Sequence, residues 1–161
     1  MRHLIAVSLL LAGSVAMADD CRFQADRSFT VDRGDLTALH VKTGRNDLRV
    51  QGEAGLAQIV VTAKACASDE EDLAKLKLTQ RRDGTRLLIE AENPDSSGGI
   101  LLFPGYADLD IQIRLPADLA VSVDAGSGDT TARDLASLDY DAGSGDLDAD
   151  RIRDELRADV G

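Results

Sequence analysis

The chain is short of the residues from which many functional sites are built. It has no tryptophan, two tyrosines and three phenylalanines. That scarcity argues against an aromatic-lined cleft for gripping sugar and against a polysaccharide-cleaving enzyme, the least favoured of the readings open to it. Two cysteines without C-x-x-C spacing exclude a redox motif of that kind. Two histidines, one of them His3 near the start, cannot build a usual zinc site with those cysteines. They leave His40 as the only base for a serine nucleophile. His40 alternates with Leu39 and Val41, so it belongs on the outward face of a strand. "GSGD" and "SSGG" lack the lysine and the strand–helix setting of a phosphate loop. Basic charge is scarce as well: 18 Lys and Arg stand against 29 Asp and Glu, a net of −11. Such a surface repels nucleic acid and anionic headgroups, and attracts cations or basic partners.

What is present begins with "MRHLIAVSLLLAGSVAMA". A basic start at Arg2, an apolar run from Leu4 to Ala16 and a small-x-small end read as a secretory signal peptide over residues 1–18. The run is short for a membrane span, and no later segment is longer and apolar. Cys21 lacks the preceding small and apolar residues of a lipoprotein signal. Export places the chain in the periplasm, at the cell surface or outside the cell. In an oxidising compartment an even pair of cysteines reads as one disulfide, Cys21–Cys66.

Residues 19–161 read as one β-rich domain. "DAGSGD" occurs at Asp124 and again at Asp141, 17 residues on. Each copy alternates with period two: Val121, Val123 and Ala125 share a face, as do Leu138, Tyr140 and Ala142. Two short strands joined by a tight corner account for each copy, and "ELRADVG" begins a third. "LHVKTGRNDLRVQG" fits the same frame earlier. There Gly44 stands for Gly126 and Gly143, Asn46 for Gly128 and Gly145, and Asp47 for Asp129 and Asp146. An Asn-for-Gly exchange predicts positive φ at that position. The aspartates can accept backbone N–H groups in the corner. Stacked carboxylates also repel, so a structural calcium ion is the alternative, although the spacing is not that of calcium-binding nonapeptides. No cofactor is implied.

The middle of the chain differs. "AQIVVTAKA" reads as a strand, and "SDEEDLAKL" as a short helix with capping-box spacing from Ser68 to Glu71. Asp83-Gly84 predicts a hairpin in which Leu78 faces Ile89 and Lys77 faces Glu90. "DLDIQIRLP" alternates with Leu109, Ile111, Ile113 and Leu115 inward. Between these lies "NPDSSGGILLFPGY", whose Ile100, Leu101, Leu102, Phe103 and Tyr106 either cover a sheet edge or form a binding loop.

"LDIQIRLPADLAVSVDAGSGDTTARDLASLDYDAGSGDLDADRI" resembles a bacterial family of putative adhesins of unknown function, exported and built of repeated short strands. The shared pattern is an alternating strand, an "LP" stop, "V-x-V-x-x-G-S-G-D" and further G-S-G-D copies. The resemblance implies an all-β, β-solenoid or β-helix-like stack of roughly 17-residue two-strand rungs, after an N-terminal strand-and-hairpin region with one short helix. It implies a non-enzymatic interaction module for an unknown envelope or surface component, with self-association as a further outcome. It carries over no catalytic residues. Members usually continue through more rungs, so further rungs are expected beyond Gly161.

Overall fold

Alternating sequences of this kind bury every second side chain, and the molecule does so in two facing sets of strands. A computed structural model describes residues 21–93 and 105–161. The leader and Ile100–Phe103 lie outside the described residues. The strands are β1 (Phe23–Asp26), β2 (Phe29–Asp32), β3 (Ala38–Gly44), β4 (Leu48–Glu53), β5 (Gln58–Ala67), β6 (Lys77–Asp83), β7 (Arg86–Glu92), β8 (Ala107–Pro116), β9 (Ala120–Ala125), β10 (Thr130–Arg133), β11 (Ser137–Ala142), β12 (Leu147–Asp150) and β13 (Glu155–Val160). One helix, α1 (Glu70–Lys75), sits between β5 and β6.

The fold is all-β, in two open sheets of mixed direction. One runs β1-β5-β8-β4-β10-β12, with β2 also on β5; the other runs β13-β11-β9-β3-β7-β6. After β8 the chain alternates between them. β9, β11 and β13 pair in parallel in one sheet, while in the other β10 pairs in parallel with β4 on one side and β12 on the other. Leu138 stands beside Val121 and Tyr140 beside Val123, so equivalent residues of successive copies are neighbours. The earlier copy joins the same rows, Leu39 beside Val121 and Leu48 beside Thr130. The antiparallel additions β1, β2, β5 and β6 make the sheets mixed rather than one uniform stack.

The core lies between the sheets. Leu39, Val41, Ile89, Val123, Leu138 and Tyr140 come from one side, and Leu48, Val50, Ile59, Ile111, Ile113 and Leu115 from the other. Small aliphatic side chains make this core thin, with Tyr140 its largest fully buried member.

Two local details correct the sequence reading. The hairpin turns on Gly84-Thr85, since Asp83 pairs with Arg86. Gly84 has φ +59°, at the first central position that a II′ turn reserves for glycine. Leu78 therefore faces Ala91, and Lys77 faces Glu92. The helix is capped by Asp69, not Ser68: its carboxylate accepts the Asp72 N–H at 2.8 Å.

Candidate functional site

The repeated corners are brought together into one column. The Gly126 N–H donates to the Gly44 carbonyl at 2.5 Å, and the Ser144 N–H to the Gly126 carbonyl at 2.8 Å. The aspartates continue the column with their side chains. Asp47 Oδ1 accepts the Asp129 N–H at 3.0 Å, and Asp129 Oδ1 accepts the Asp146 N–H at 2.9 Å. Each carboxylate thus holds the next copy rather than its own turn. This arrangement supplies a partner for charges that would otherwise only repel. Among the described residues, no group of three or more His, Cys, Asp or Glu gathers as a metal ion would need.

The expected positive φ is found at one of the three equivalent positions, Gly145, so it does not account for these residues on its own. φ is positive at Gly145 (+102°) and at Gly44 (+59°), but not at Asn46 or Gly128. Closeness is the common constraint. A Cβ on Gly128 would meet the Asn46 carbonyl, and one on Gly145 would lie 2.5 Å from the Gly128 oxygen. Gly143 is looser, with the Gly126 oxygen at 3.2 Å. Asn46 sits at the base of this column, where no earlier corner crowds it. It is 1% exposed. Its Nδ2 donates to the Thr43 carbonyl at 2.7 Å and to Asn93 Oδ1 at 2.6 Å. Its Oδ1 accepts the Leu109 N–H at 2.8 Å and Asn93 Nδ2 at 3.0 Å.

A second corner escaped the sequence reading. Asp134 and Arg151 occupy the same frame position, with φ +56° and +54°. Arg151 grips Asp134 through Nε at 2.5 Å and Nη2 at 2.9 Å, while Gln51 Nε2 donates to the same carboxylate at 2.6 Å. Opposite charges at equivalent positions of adjacent copies were the available signal. The hydrogen bonds from Arg151, then Gln51, hold the Asp134 carboxyl at about 2, below the usual carboxylate range. A depressed carboxylate stabilises the fold fully above its unfolded value of about 3.9, and the contribution is lost as pH falls through about 2. Asp134→Asn is therefore expected to flatten the fall in unfolding midpoint between about pH 4 and pH 2. Denaturant titrations at stepped pH measure this.

His40 is half-buried rather than fully outward. Its Nδ1 lies 2.6 Å from Ser122 Oγ on β9, and its Nε2 lies 3.7 Å from Asp124 Oδ2. Burial lowers its pKa, so the ring is neutral at pH 7. The grouping has the residue types of a hydrolase triad without its geometry. The carboxylate is beyond hydrogen-bond reach, and β9 is paired on both sides, which occupies the backbone donors an oxyanion would need. It serves as a bond between neighbouring strands.

Cys21 and Cys66 are disulfide-bonded, with Cα atoms 5.6 Å apart. Of the residues proposed to bind in the loop, Tyr106 alone lies among the described residues. Tyr106 is 37% exposed, but its hydroxyl accepts the Arg22 N–H at 3.0 Å and its carbonyl accepts the Ser68 N–H at 2.9 Å. Beside the disulfide, a surface depression of about 500 Å³ mixes Arg45, Arg49 and Lys64 with Asp47, Asp108 and Asp110.

No family model matches the chain, and no curated protein matches it closely enough to count as a relative. Solved structures do resemble it. A putative cell adhesion protein from Clostridium sporogenes superposes with a TM-score of 0.57 at 15% identity, over 86% of this chain and 68% of its own. A putative adhesin from Bacteroides fragilis gives 0.51 at 12% identity, over 85% of this chain and 59% of its own. The chain shares their fold. At these identities the likeness concerns architecture alone, and the chain spans about three fifths of the second protein's length.

Proposed function

We propose that the protein is an exported, non-enzymatic interaction module that binds a component of the cell envelope or surface. The observation that carries this reading is the fold shared with two putative adhesins. The Cys21–Cys66 disulfide supports an extracytoplasmic setting. The leader over residues 1–18 would direct export. The parallel copies with a 17-residue offset support a solenoid-like extension of the two sheets. Their outer faces would offer broad, rigid polar surfaces. The test is co-sedimentation of the protein, without residues 1–18, with washed envelope fractions. Saturable binding is expected and should survive chelator. Absence of binding at any salt concentration overturns the reading, and loss only in chelator would favour calcium-dependent attachment.

A further inference from the structure

The outer face of the first sheet carries an arrangement that register alone creates. Three strands lie side by side there, with β4 between β8 and β10. Arg49 has Gln112 on one side and Thr131 on the other. In the next outward row, Gln51 has Arg114 on one side and Arg133 on the other. The three arginines therefore occupy the corners of a triangle, with neutral side chains between them. They line a shallow depression of about 240 Å³ whose wall contains no carboxylate. This is unusual in a chain with a net charge of −11.

The acids stand at the rim. Arg49 Nη1 meets Asp110 at 2.9 Å, and Arg114 Nη1 meets Glu53 at 3.3 Å. Arg133 meets Asp148 at 2.5 Å and Asp150 at 3.3 Å. Arg49 and Arg114 each engage a carboxylate through Nη1, and their Nε and Nη2 have no protein partner among the described residues. Surface ion pairs of this type contribute little to stability, so they explain the arginines poorly. They do steady each fork. Strands hold the three side chains on a rigid frame.

We infer that this depression binds single anionic groups of an acidic polysaccharide, a chemistry that rests on the interaction reading above. Guanidinium forks match carboxylates and sulfates in two-point fashion. The side chains of Gln112 and Thr131, which make no hydrogen bond among the described residues, offer donors and acceptors to flanking sugar hydroxyls. The rim carboxylates oppose a continuous anionic surface, such as a charged membrane, but tolerate one charge framed by hydroxyls. At physiological ionic strength screening acts over about 8 Å, which removes the distant part of the net charge and leaves the three arginines with the rim carboxylates that pair with them.

The test measures binding of the chain without residues 1–18 to polygalacturonate, dextran sulfate and neutral dextran in about 0.15 M salt. Saturable binding to polygalacturonate, and none to dextran, is expected. The triple variant Arg49→Gln, Arg114→Gln, Arg133→Gln should lose at least tenfold in affinity with an unchanged thermal midpoint. Arg81→Gln with Arg86→Gln, on the other sheet, should leave affinity unchanged. Binding to dextran sulfate alone, lost in the triple variant, would keep the site and make its anion a sulfate. Equal binding of neutral dextran, equal loss in the control variant, or no binding to either acidic polymer overturns the inference. If the triple variant unfolds, Arg49→Gln alone carries the comparison and should show a threefold or larger loss. Envelope co-sedimentation by the same variants separates the two readings. If it persists while both acidic polymers fail, only this site is refuted.

Discussion

Gly128→Val should lower stability by about 4 kcal/mol, enough to leave most of the chain unfolded at moderate denaturant. The side chain would enter a space already held by the Asn46 carbonyl and the backbone of Arg45. Backbone atoms cannot step aside as a flexible side chain could, so the column must part or the copies must slip. Overpacking of a tight site costs about 1–3 kcal/mol even where neighbours can adjust. Gly128→Ala should already show most of the loss, because its Cβ makes the clash. Gly145→Asn is expected to fail for the same reason, with its Cβ placed 2.5 Å from the Gly128 oxygen. Asparagine's tolerance of positive φ does not help where there is no room. By contrast, Gly143→Ala should be mild. Urea titrations of the four variants give the order. Comparable small effects at 128, 143 and 145 would refute the stacking account.

The second large effect is expected from Asn46→Leu, also about 4 kcal/mol. Leucine keeps the branched outline of asparagine, but its methyl groups are bulkier than the amide, so some overpacking adds to the loss of hydrogen bonds. The substitution strands the Leu109 N–H and removes both contacts to the amide of Asn93, while the Thr43 carbonyl keeps the backbone N–H of residue 46. A buried polar group left without a partner costs about 1–3 kcal/mol. Asn93→Ala removes one partner but leaves Asn46 its bonds to Thr43 and Leu109, so it should cost about 1 kcal/mol. Measuring both separates the base of the column from its neighbour. Equal losses would mean that the amide pair, not the backbone contacts, carries the stability.

The repeat was legible because its cause is local. Period-two alternation and a crowded corner leave marks within a single copy, as at Val121–Asp129 and Leu138–Asp146. The role of Asn46 was not legible, because its partners Asn93 and Leu109 come from distant parts of the chain. An exchange of asparagine for glycine suggested a shared backbone angle; the molecule instead places a buried amide where the column has no earlier member. The hairpin register shifted because Gly84, not Asp83, opens the turn. The mixed sheets depend on antiparallel partners such as β5 beside β8, a pairing that no local pattern announces. For the same reason Arg49, Arg114 and Arg133 become a group only once the strands are aligned. Their separation in sequence hides the triangle, whereas the disulfide could be read from cysteine number and compartment alone.

The carboxylate column has a bearing on how the molecule comes to be built. Its lowest step joins Asp47 to Asp129 across 82 positions, while the next joins Asp129 to Asp146 across 17. Closing the first loop is the slow, entropically expensive event, and the later one is short. The early strands thus act as a mould: until β3 and β4 are in place, the later copies have nothing to copy their register from. Once they are, each copy presents the next with a finished edge and one waiting carboxylate. Synthesis from the amino terminus delivers the parts in that order, mould before castings.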